Sequence, residues 1–502
     1  MRRPFYCPSP EAFKELSRTS NMVPVFRDIL ADTDTPVSAF MKIDNGGDAF
    51  LLESVEGGEK WGRYSFLGVG PRMVVRGSGK TVEVIEGGKK RLLEGDPIDI
   101  IQDLLKGYRP ASVEGEPRFS GGAIGYMGYD IVRHIERLPD ISPRELSLPD
   151  IYLILTDTFL VFDNVEHRIK IVSNAYINDG DDPGEVYARS IAKIEAVVVQ
   201  LRKNTPQKNE NEELSRRMAA KLDDFTITSN FKRDDFLKAV ERIKEYIVEG
   251  DIFQAVISQR FSAPLNADPF DIYRALRVIN PSPYMFYLKL GEATLVGSSP
   301  EILVRVEGES VNVKPIAGTR KRGRNEEEDV SLEKDLLADP KELSEHIMLV
   351  DLGRNDVGRV AKSGTVEVDE LMAIERYSHV MHIVSNVKGV LKKGMSSFDA
   401  LKACFPAGTL TGAPKVRAME IIEELEPCKR EVYGGCVGYF GFSGNMDTCI
   451  AIRTMVIANG RIHMQAGAGV VADSVPVKEF EETENKARGM LKAVEMAMEG
   501  LF

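Results

Sequence analysis

The sequence predicts a mixed fold of the α+β class, in which strands and helices alternate irregularly along the chain. Short alternating segments such as Thr81–Ile85 and Ile151–Leu155 lie among turns rich in Gly and Pro, a pattern typical of strands. The periodicity after Asn230 predicts an amphipathic helix that ends at Gly250 and is followed by a strand. A long helix is also predicted from Gly184 to about Lys203.

The chain has the size and composition of a globular protein with room for more than one domain. It contains 502 residues, of which 43% are hydrophobic and 28% are charged. The net charge of −12 argues against nucleic acid as the main partner, because a phosphate-binding surface usually carries a basic excess. Residues 202–217 are polar and lack apolar periodicity, which indicates a surface linker or an exposed insertion.

Neither a membrane span nor an export signal is recognised in the sequence. No apolar run approaches the ~18 residues that a spanning helix needs, and the first residues contain no apolar segment that would direct export. We therefore expect a cytoplasmic protein without a membrane partner. The five cysteines are odd in number and lack Cys-x-x-Cys spacing, so we interpret them as small buried residues and not as disulfides or zinc ligands.

Two acidic segments have the spacing of paired carboxylates on one helix face. A helix start is predicted at Pro340, after which Glu342 and Glu345 lie three residues apart. Near the C terminus, Glu479 and Glu482 repeat that spacing. Oxygen ligands without a nearby Cys or His cluster suit Mg²⁺, which completes its shell with water and an anionic substrate. The alternative is a pair of solvated acidic faces, since charge runs usually face water.

Three glycine-containing segments offer hydrogen-bond donors to an anion. Residues 405–415, FPAGTLTGAPK, lack the Gly-Lys-Ser/Thr of a phosphate loop, but the helix start predicted after them is a natural anion seat. Residues 465–474, QAGAGVVADS, match a dinucleotide fingerprint only weakly, because no helix follows at once. In PIAGT, Gly318 and Thr319 present an N–H group and a hydroxyl.

One internal echo links the two halves of the chain. Residues 121–129 read GGAIGYMGY and residues 434–442 read GGCVGYFGF. The echo predicts a similar glycine-rich strand in each half, at which backbone or ligand approaches closely. Chance or shared hairpin geometry is the alternative, because Gly and aromatic residues are common in strands.

Ten motifs in order resemble the chorismate-utilising enzymes, and most closely the synthase subunits (component I) of anthranilate synthases. They are DIFQAVISQRF, SSPE, PIAGTRKRG, SEHIMLVDLGRND, RYSHVMHIVS, FPAGTLTGAPK, GGCVGYFGF, AIRT, QAGAGVV and EFEETENKA. The core of the resemblance runs from about Asn230 to the C terminus, and the N-terminal half matches through LLESVEGGEKWGRYSFLG and GGAIGYMGYD. It implies a two-domain α+β fold of antiparallel sheets packed as a sandwich, with helices outside and an active-site cleft between. Residues 1–225 would form the N-terminal domain and residues 226–502 the chorismate-binding domain.

The resemblance implies a reaction of chorismate with ammonia that gives anthranilate and pyruvate, with Mg²⁺ as template and Lewis acid. Relatives that add water carry a lysine base where this chain has Gln254, and aminodeoxychorismate synthases typically carry a lysine where it has Ala317. Both departures favour attack by ammonia and loss of pyruvate. Aminodeoxychorismate synthase component I remains an alternative enzyme.

The same resemblance implies a role for each residue of the expected site. The Mg²⁺ ligands would be Glu345 and Glu482, with Glu342 and Glu479 acting behind them or through water; Gly467, Ala468, Gly469 and Lys486 would hold the ring carboxylate, and Tyr433 and Arg453 the enolpyruvyl carboxylate. Glu301 would act as general acid on the departing C4 hydroxyl, for which a raised pKa is useful. His382 and Thr409 would orient the ring and assist the loss of pyruvate.

A second site is implied for tryptophan as a feedback inhibitor. It would be formed by Leu52, Glu53, Ser54, Pro283, Tyr284, Met285, Val437 and Tyr439. The residues alone are equally consistent with ordinary core, because an apolar cluster needs no ligand. A tryptophan-sensing subunit without catalytic activity is therefore another alternative, although the intact expected active site argues against it.

The resemblance also implies a partner that supplies ammonia. No cysteine-centred glutaminase segment is recognised in the chain, so a separate glutamine amidotransferase subunit (component II) would release ammonia from glutamine. We therefore expect a hetero-oligomer, and the family commonly forms heterotetramers. A dinucleotide-dependent oxidoreductase would rest only on the weak motif at Gly467, and no nicotinamide cofactor is expected.

Overall fold

The computed structural model describes residues 5–54, 63–206, 226–377 and 380–501, so the predicted linker at 202–217 and the segment after Ser54 lie partly outside the described residues. The helices are α1 Pro10–Leu16, α2 Pro36–Ile43, α3 Pro97–Lys106, α4 Pro183–Leu201, α5 Arg233–Glu249, α6 Pro269–Ile279, α7 Glu326–Ala338, α8 Pro340–Val360, α9 Ser397–Cys404, α10 Lys415–Leu425 and α11 Pro476–Glu499. Short 3₁₀ helices occupy Tyr129–His134 and Gly408–Leu410.

The strands are numbered in chain order. The first twelve are β1 Met22–Leu30, β2 Ala49–Glu53, β3 Tyr64–Val69, β4 Met73–Ser78, β5 Thr81–Glu86, β6 Lys89–Glu94, β7 Gly122–Met127, β8 Ile151–Leu155, β9 Thr158–Asp163, β10 Arg168–Tyr176, β11 Thr228–Ser229 and β12 Gln254–Pro264. The remainder are β13 Tyr284–Leu290, β14 Ala293–Ser299, β15 Ile302–Glu307, β16 Ser310–Val313, β17 Ile316–Lys321, β18 Glu367–Arg376, β19 Val380–Val390, β20 Gly412–Ala413, β21 Cys436–Gly441, β22 Met446–Ile450, β23 Thr454–Ala458 and β24 Arg461–Val470.

The strands form two antiparallel sheets of twelve strands each. The first has the order β1-β10-β9-β3-β2-β13-β14-β23-β24-β12-β11, with β20 on β12; the second has the order β17-β19-β16-β15-β22-β21-β7-β8-β4-β5-β6, with β18 on β19. Each sheet thus contains strands from before and after residue 225. The division at residues 225 and 226 stays a proposal about the organisation of the sequence, because the sheets themselves are shared.

Buried apolar side chains join the two sheets into the predicted sandwich. One cluster includes Phe66 of the first sheet and Tyr439 of the second, whose ring centroids lie 6.0 Å apart. A second cluster lies between the second sheet and helices α3, α8 and α9. Removing this apolar surface from water is the main favourable contribution to folding, and it explains why the helices lie outside the sheets.

The two echoed glycine-rich segments are strands that pair with each other. Strands β7 and β21 are antiparallel neighbours, and Gly125 lies opposite Gly438. A Cβ on Gly125 would stand 2.0 Å from the carbonyl oxygen of Tyr152 on β8, and the φ angle of +154° is also unfavourable for other residues. The predicted close approach of backbone is therefore confirmed, and it occurs where the two halves of the chain meet.

Most predicted elements lie where the sequence placed them. The strand predicted at Ile151–Leu155 has those bounds, and the helix predicted after Asn230 ends at Gly250, whose left-handed φ of +86° caps it. The last helix begins at Pro476, two residues before the Lys478 expected from the sequence. None of the helices in the described ranges is both long and apolar enough to cross a membrane.

The pairing of β7 with its neighbours predicts a large effect of Gly125→Ala. The added methyl group has no space beside the carbonyl of Tyr152, so we expect the free energy of unfolding to fall by about 1–3 kcal/mol. Gly489→Ala is the control, because its Cβ meets nothing within 4 Å and alanine favours the helix by about 1 kcal/mol. Urea denaturation measures the free energy of unfolding of both variants. Equal stability of the two would contradict the close approach of the Tyr152 carbonyl to Gly125.

Candidate active site

Helices α8 and α11 bring their acidic segments together. Helix α8 begins at the predicted Pro340, and the Asp339 side chain caps it by accepting hydrogen bonds from the Lys341 and Glu342 N–H groups. Glu345 is half-buried on α8, and its pKa is raised by burial, by the neighbouring charge of Glu342 and, more weakly, by Glu482 on α11. The two acidic segments are therefore close enough to repel each other, which is the arrangement that a cation stabilises.

The donor chemistry of this cluster fits Mg²⁺. Within the described ranges, no three Asp, Glu, His or Cys side chains converge closely enough to hold a metal by themselves. Mg²⁺ commonly takes only one or two carboxylates and completes its octahedral shell with water and substrate oxygens. The raised pKa of Glu345, caused mainly by burial, shows that its charge is poorly compensated, so a divalent cation would stabilise the ionised form.

Gln254 lies at the start of β12, beside the acidic cluster and above the glycine segment of β24. Its Nε2 lies 3.4 Å from Glu345 Oε1, to which it donates a long hydrogen bond. The same nitrogen stands 2.6 Å from the position that a Cβ on Gly469 would take, so only glycine leaves room for this amide. Gln254 is 5% exposed. The residue that the resemblance associates with the type of reaction thus contacts both predicted binding elements.

Strand β24 has an unpaired edge at the predicted carboxylate-binding segment. It pairs with β12 along its whole length, so that Gly467 lies opposite Ser258 and Gly469 opposite Val256. On its other side β23 reaches only to Met464. Within the described residues, Gly467–Gly469 therefore have no strand neighbour on that side, and N–H groups on this edge are available to an anion. These glycines lie in a strand, and no helix follows the segment at once, as expected from the sequence, because the next helix begins only at Pro476.

Two cations and a phenol surround this edge. Lys486 Nζ donates a hydrogen bond of 2.8 Å to the Gly467 carbonyl and lies 2.5 Å from Glu482 Oε1. The Tyr433 hydroxyl lies 2.9 Å from the Cβ position of Gly467, and burial raises its pKa to about 12, so it remains a hydrogen-bond donor. Arg453 is half-buried; loss of hydration lowers its pKa, while Tyr433 and Glu482 favour its charged form.

Glu301, the expected general acid, occupies the junction between β14 and β15. It is 8% exposed, and burial raises its pKa to about 8. The Thr409 hydroxyl lies beside this carboxyl and partly offsets the rise, although its oxygen makes no hydrogen bond of ordinary geometry within the described residues. Both side chains line a cavity of about 40 Å³. A carboxyl that is protonated at neutral pH is suited to act as a general acid.

His382 lies on β19 next to the Thr319 segment of β17. Its Nδ1 lies 3.0 Å from Thr319 Oγ1 and 3.1 Å from the Gly318 carbonyl oxygen. A carbonyl can only accept, so the contact assigns the proton of the neutral ring to Nδ1 and leaves Nε2 as the basic nitrogen. Burial lowers the pKa of His382, and the charge of Arg453 also lowers it. The imidazole is therefore neutral near pH 7 and lies close enough to Arg453 to sense its charge.

All eight residues predicted for the inhibitor site line one separate cavity of about 430 Å³. Beyond the predicted residues, the wall includes Arg63, Tyr64, Phe66, Arg118, Phe286, Arg305, Gly438, Asp447 and Cys449. The volume suits a small organic ligand. Because seven separated segments of the chain form this wall, it could not be identified as a cavity from the sequence alone.

Charged groups at this cavity are held by partners on its wall or directly behind it. Asp447 lies 2.7 Å from Arg305 and accepts a hydrogen bond of 2.8 Å from the Tyr284 hydroxyl. Glu53 is 6% exposed and lies 2.9 Å from Arg277. Burial raises its pKa, and the charge of Arg277 opposes that rise. The cavity therefore combines apolar walls with a few fixed polar groups, as ligand sites commonly do.

Sequence reasoning missed several polar residues of both sites. Arg305 and Asp447 lie in ordinary alternating strands, and Arg430 lies between two charged residues four positions before the motif at 434–442. A charged residue in such a strand or loop does not by itself indicate what it contacts. Each became visible only through contacts with residues that are distant in the chain.

The cysteine in Gly-Gly-Cys-Val-Gly, residues 434–438, matches the Gly-x-Cys-x-Gly spacing of a glutaminase nucleophile, which sequence reasoning overlooked. Cys436 nevertheless lies within β21, is 1% exposed, and has its pKa raised to about 12 by burial. A buried thiol of this kind does not ionise at neutral pH. The match is therefore structural, and the expectation of a separate ammonia source is unchanged.

Comparisons with known proteins agree with this geometry. The family model described as chorismate binding enzyme matches residues 48–492. Anthranilate synthase component 1 of Pseudomonas aeruginosa is 51% identical over 95% of this chain and 96% of its own length. That of Acetivibrio thermocellus is 49% identical over 99% of both chains. The solved structure of anthranilate synthase component I from Streptococcus pneumoniae has a TM-score of 0.76 and 36% identity, and covers 92% of this chain and 98% of its own. The family match and these near full-length similarities establish that the chain belongs to the chorismate binding enzyme family.

Proposed function

We propose that this chain is the synthase subunit of an anthranilate synthase, which converts chorismate and ammonia to anthranilate and pyruvate. The observation that carries the proposal is that residues from separate elements meet beside the acidic helix α11: His382 lies near Arg453, and Arg453, Tyr433 and Lys486 lie around Glu482. Near full-length similarity to proteins named anthranilate synthase component 1 supports it.

In this proposal the cationic side of the cleft binds the two carboxylates of chorismate. The edge of β24 at Gly467–Gly469 and the Lys486 ammonium would bind the ring carboxylate. Tyr433 and Arg453 would bind the enolpyruvyl carboxylate, for which a half-buried guanidinium is well suited. Binding both ends of the substrate would fix the ring relative to Glu301, which is the main contribution that positioning makes to the rate.

Glu301 would donate its proton to the C4 hydroxyl as ammonia attacks C2. Because its pKa is near 8, the carboxyl is mostly protonated at pH 7 and can protonate the leaving oxygen. Neutral His382 and the Thr409 hydroxyl would orient the ring during the subsequent loss of pyruvate. Gln254 cannot act as a base, so water would be activated poorly, which favours ammonia as the nucleophile.

Mg²⁺ would be held by Glu345 and Glu482, with Glu342 and Glu479 behind them. When bound, the ion would supply Lewis-acid stabilisation of charge that develops on the substrate. Arg320 lies 3.5 Å from Glu342 and 2.8 Å from Asp339, which supports a role for Glu342 behind the metal ligands.

Tryptophan is proposed as the feedback inhibitor that occupies the 430 Å³ cavity. Coupling to the active site would pass through the 434–442 strand and its neighbours. Cys449 lines the cavity, and the N–H of the next residue, Ile450, donates a 3.0 Å hydrogen bond to the carbonyl of Glu301. A ligand that moves β22 would therefore move the proposed general acid.

The ammonia is proposed to come from glutamine through a separate amidotransferase subunit, component II. The names of the relatives support a partner, because a component 1 implies another component. The amidotransferase complex is not needed to test the chemistry, since free ammonium can replace it. The purified chain with chorismate, Mg²⁺ and ammonium should form anthranilate and equimolar pyruvate; an amino-chorismate without pyruvate would favour the aminodeoxychorismate alternative, and no turnover would contradict the proposal.

Glu301→Gln should lower kcat by about a hundredfold or more, because the amide cannot donate the required proton. In the unmodified chain, with the concentration of free ammonia held fixed, kcat/KM for chorismate should be constant well below pH 8 and should decline through pH 8, since the acid form of Glu301 is lost there. This alkaline limb should be absent from the residual activity of the variant. If the alkaline limb persists unchanged in the variant, it reports the ionisation of a group other than Glu301.

Glu482→Gln should raise the Mg²⁺ concentration needed for half-maximal activity by roughly tenfold or more, because it removes one of the two proposed carboxylate ligands. Glu481→Gln is a matched control on the same helix, because the Glu481 side chain is exposed and is not one of the proposed ligands. Titrations of activity and calorimetric titrations with Mg²⁺ measure the effect. Equal Mg²⁺ dependence of the two variants would place the metal elsewhere.

Ser54→Phe should abolish inhibition by tryptophan while leaving the uninhibited rate nearly unchanged, because the new ring would fill the cavity at its wall. Ser363→Phe introduces the same side chain at an exposed turn and should leave inhibition intact. Inhibition curves and calorimetric titrations with tryptophan provide the measurement. Tryptophan binding that survives Ser54→Phe would exclude this cavity as the inhibitor site.

A further inference from the structure

A fully buried ion pair lies behind the active-site cleft. Arg430 is 2% exposed and Glu426 is 6% exposed. Arg430 Nε donates to Glu426 Oε2 at 2.9 Å, and its Nη2 donates to Glu426 Oε1 at 2.6 Å, so the contact is bidentate. Neither side chain belongs to the substrate contacts assigned above.

The remaining donors of Arg430 bind two backbone carbonyls that are distant in the chain. Nη1 donates to the Leu410 oxygen at 2.6 Å, and Nη2 donates to the Val256 oxygen at 2.7 Å. Leu410 directly follows Thr409, which touches Glu301, and Val256 lies two residues after Gln254. One guanidinium therefore connects the 3₁₀ turn at 408–410 to the start of β12.

The same ion pair also contacts Tyr433 and the ladder beneath the glycine edge. The Tyr433 N–H donates to the Arg430 carbonyl at 3.1 Å, and the guanidinium carbon lies 5.7 Å from the Tyr433 ring centroid. Glu426 Oε1 accepts from both the N–H and the hydroxyl of Ser258, at 2.8 and 2.7 Å. Ser258 is the residue opposite Gly467 in the ladder between β12 and β24.

We infer that Arg430 is a positioning residue, which fixes Thr409, Gln254 and Tyr433 relative to one another without touching the substrate. The inference rests on the proposed function, because those three side chains have their roles there. Removing two charges from water opposes folding, so a buried ion pair is weak evidence for a stabilising role. A planar fork with five donors can instead hold three chain segments at set distances, which the compact ammonium of lysine cannot do.

Arg430→Lys keeps the positive charge but loses the fork, so it separates geometry from charge. We expect kcat/KM for chorismate to fall about a hundredfold, the loss that a misplacement of about 1 Å in a reacting group can cause. Arg133→Lys is the matched control, because Arg133 also pairs with a buried glutamate on α10, Glu423, at 2.6 Å. The kcat/KM of Arg133→Lys should remain within about twofold of that of the unmodified chain. Such a change is small, because even a tenfold change corresponds to only about 1.4 kcal/mol.

The pH profile gives a readout that a purely stabilising role would not change. The Thr409 hydroxyl lowers the pKa of Glu301. If the 408–410 turn is released from Arg430, this hydroxyl should move away from the Glu301 carboxyl. The pKa of Glu301 should then rise, and the alkaline limb of kcat/KM should move to higher pH. Apart from Glu301, the charged groups that line the 40 Å³ cavity are Lys314 and Asp356. Lys314 pairs with Glu375 at 2.5 Å and Asp356 pairs with Lys415 at 2.7 Å, so neither depends on a contact with Arg430.

The outcomes separate this inference from the proposed function. Turnover of chorismate by the unmodified chain and by Arg133→Lys, with a reduced rate and a shifted limb in Arg430→Lys, would support the inference. If Arg430→Lys matches the control in both readouts, the inference is overturned although the proposed function stands. If the unmodified chain forms no anthranilate, the proposed function fails first.

A second variant covers the case in which Arg430→Lys does not fold, as judged by circular dichroism and thermal unfolding. Glu426→Gln leaves the guanidinium its two carbonyl partners but removes its counter-charge, so it should cause the same changes at a smaller size. A folded Glu426→Gln enzyme with unchanged kcat/KM and pH profile would also overturn the inference.

Discussion

The antiparallel pairing of β12 with β24 is the constraint on which the active-site cleft depends. It extends over ten residue pairs, from Ala255 opposite Val470 to Pro264 opposite Arg461. The start of one strand and the end of the other therefore meet, which places Gln254 over Gly469. Because β23 stops pairing at Met464, the same ladder leaves the backbone edge at Gly467–Gly469 available. A strand edge that elsewhere favours aggregation is here proposed as a substrate contact.

Charge is distributed unequally across the cleft, and the distribution explains its chemistry. The carboxylates of α8 and α11 repel one another, whereas Arg453 and Lys486 bring positive charge beside the glycine edge, where Lys486 also pairs with Glu482. Glu301 lies apart from both groups, and burial rather than a neighbouring anion raises its pKa. The site thus contains carboxyl groups whose pKa values are raised for different reasons, by burial for Glu301 and by burial together with neighbouring carboxylates for Glu345.

Strand pairing connects the larger cavity with the proposed active site, so a ligand in one is physically connected to the other. Tyr284 of the larger cavity pairs with Ser299 on β14, and the N–H of Ser298 donates a 3.1 Å hydrogen bond to the Arg453 carbonyl. Arg453 itself has a left-handed φ of +49°, which is uncommon for a side chain of this size. Close packing makes such a backbone respond as a unit, because the interior leaves little free space for local adjustment.

The sequence by itself determined the local elements and the chemistry of the reactive groups. The spacing of Glu342 and Glu345, the cap at Asp339 and the helix end at Gly250 are local properties, since each depends on residues within one or two turns. Motif order identified the expected site residues, because family motifs preserve residue type at fixed positions. The two echoed glycine strands were also recognisable, although not that they pair with each other.

Only the tertiary structure decided which of these groups face one another. It placed Gly467–Gly469 at an open strand edge, assembled the cavity wall from seven segments, and revealed Arg430 as the contact shared by Thr409, Gln254 and Tyr433 through their neighbours. The protonation of Glu301 also depends on burial that no local pattern reports. The physical reason is that pairing register, burial and long-range hydrogen bonds depend on residues far apart in the chain, whereas capping and periodicity depend on neighbours.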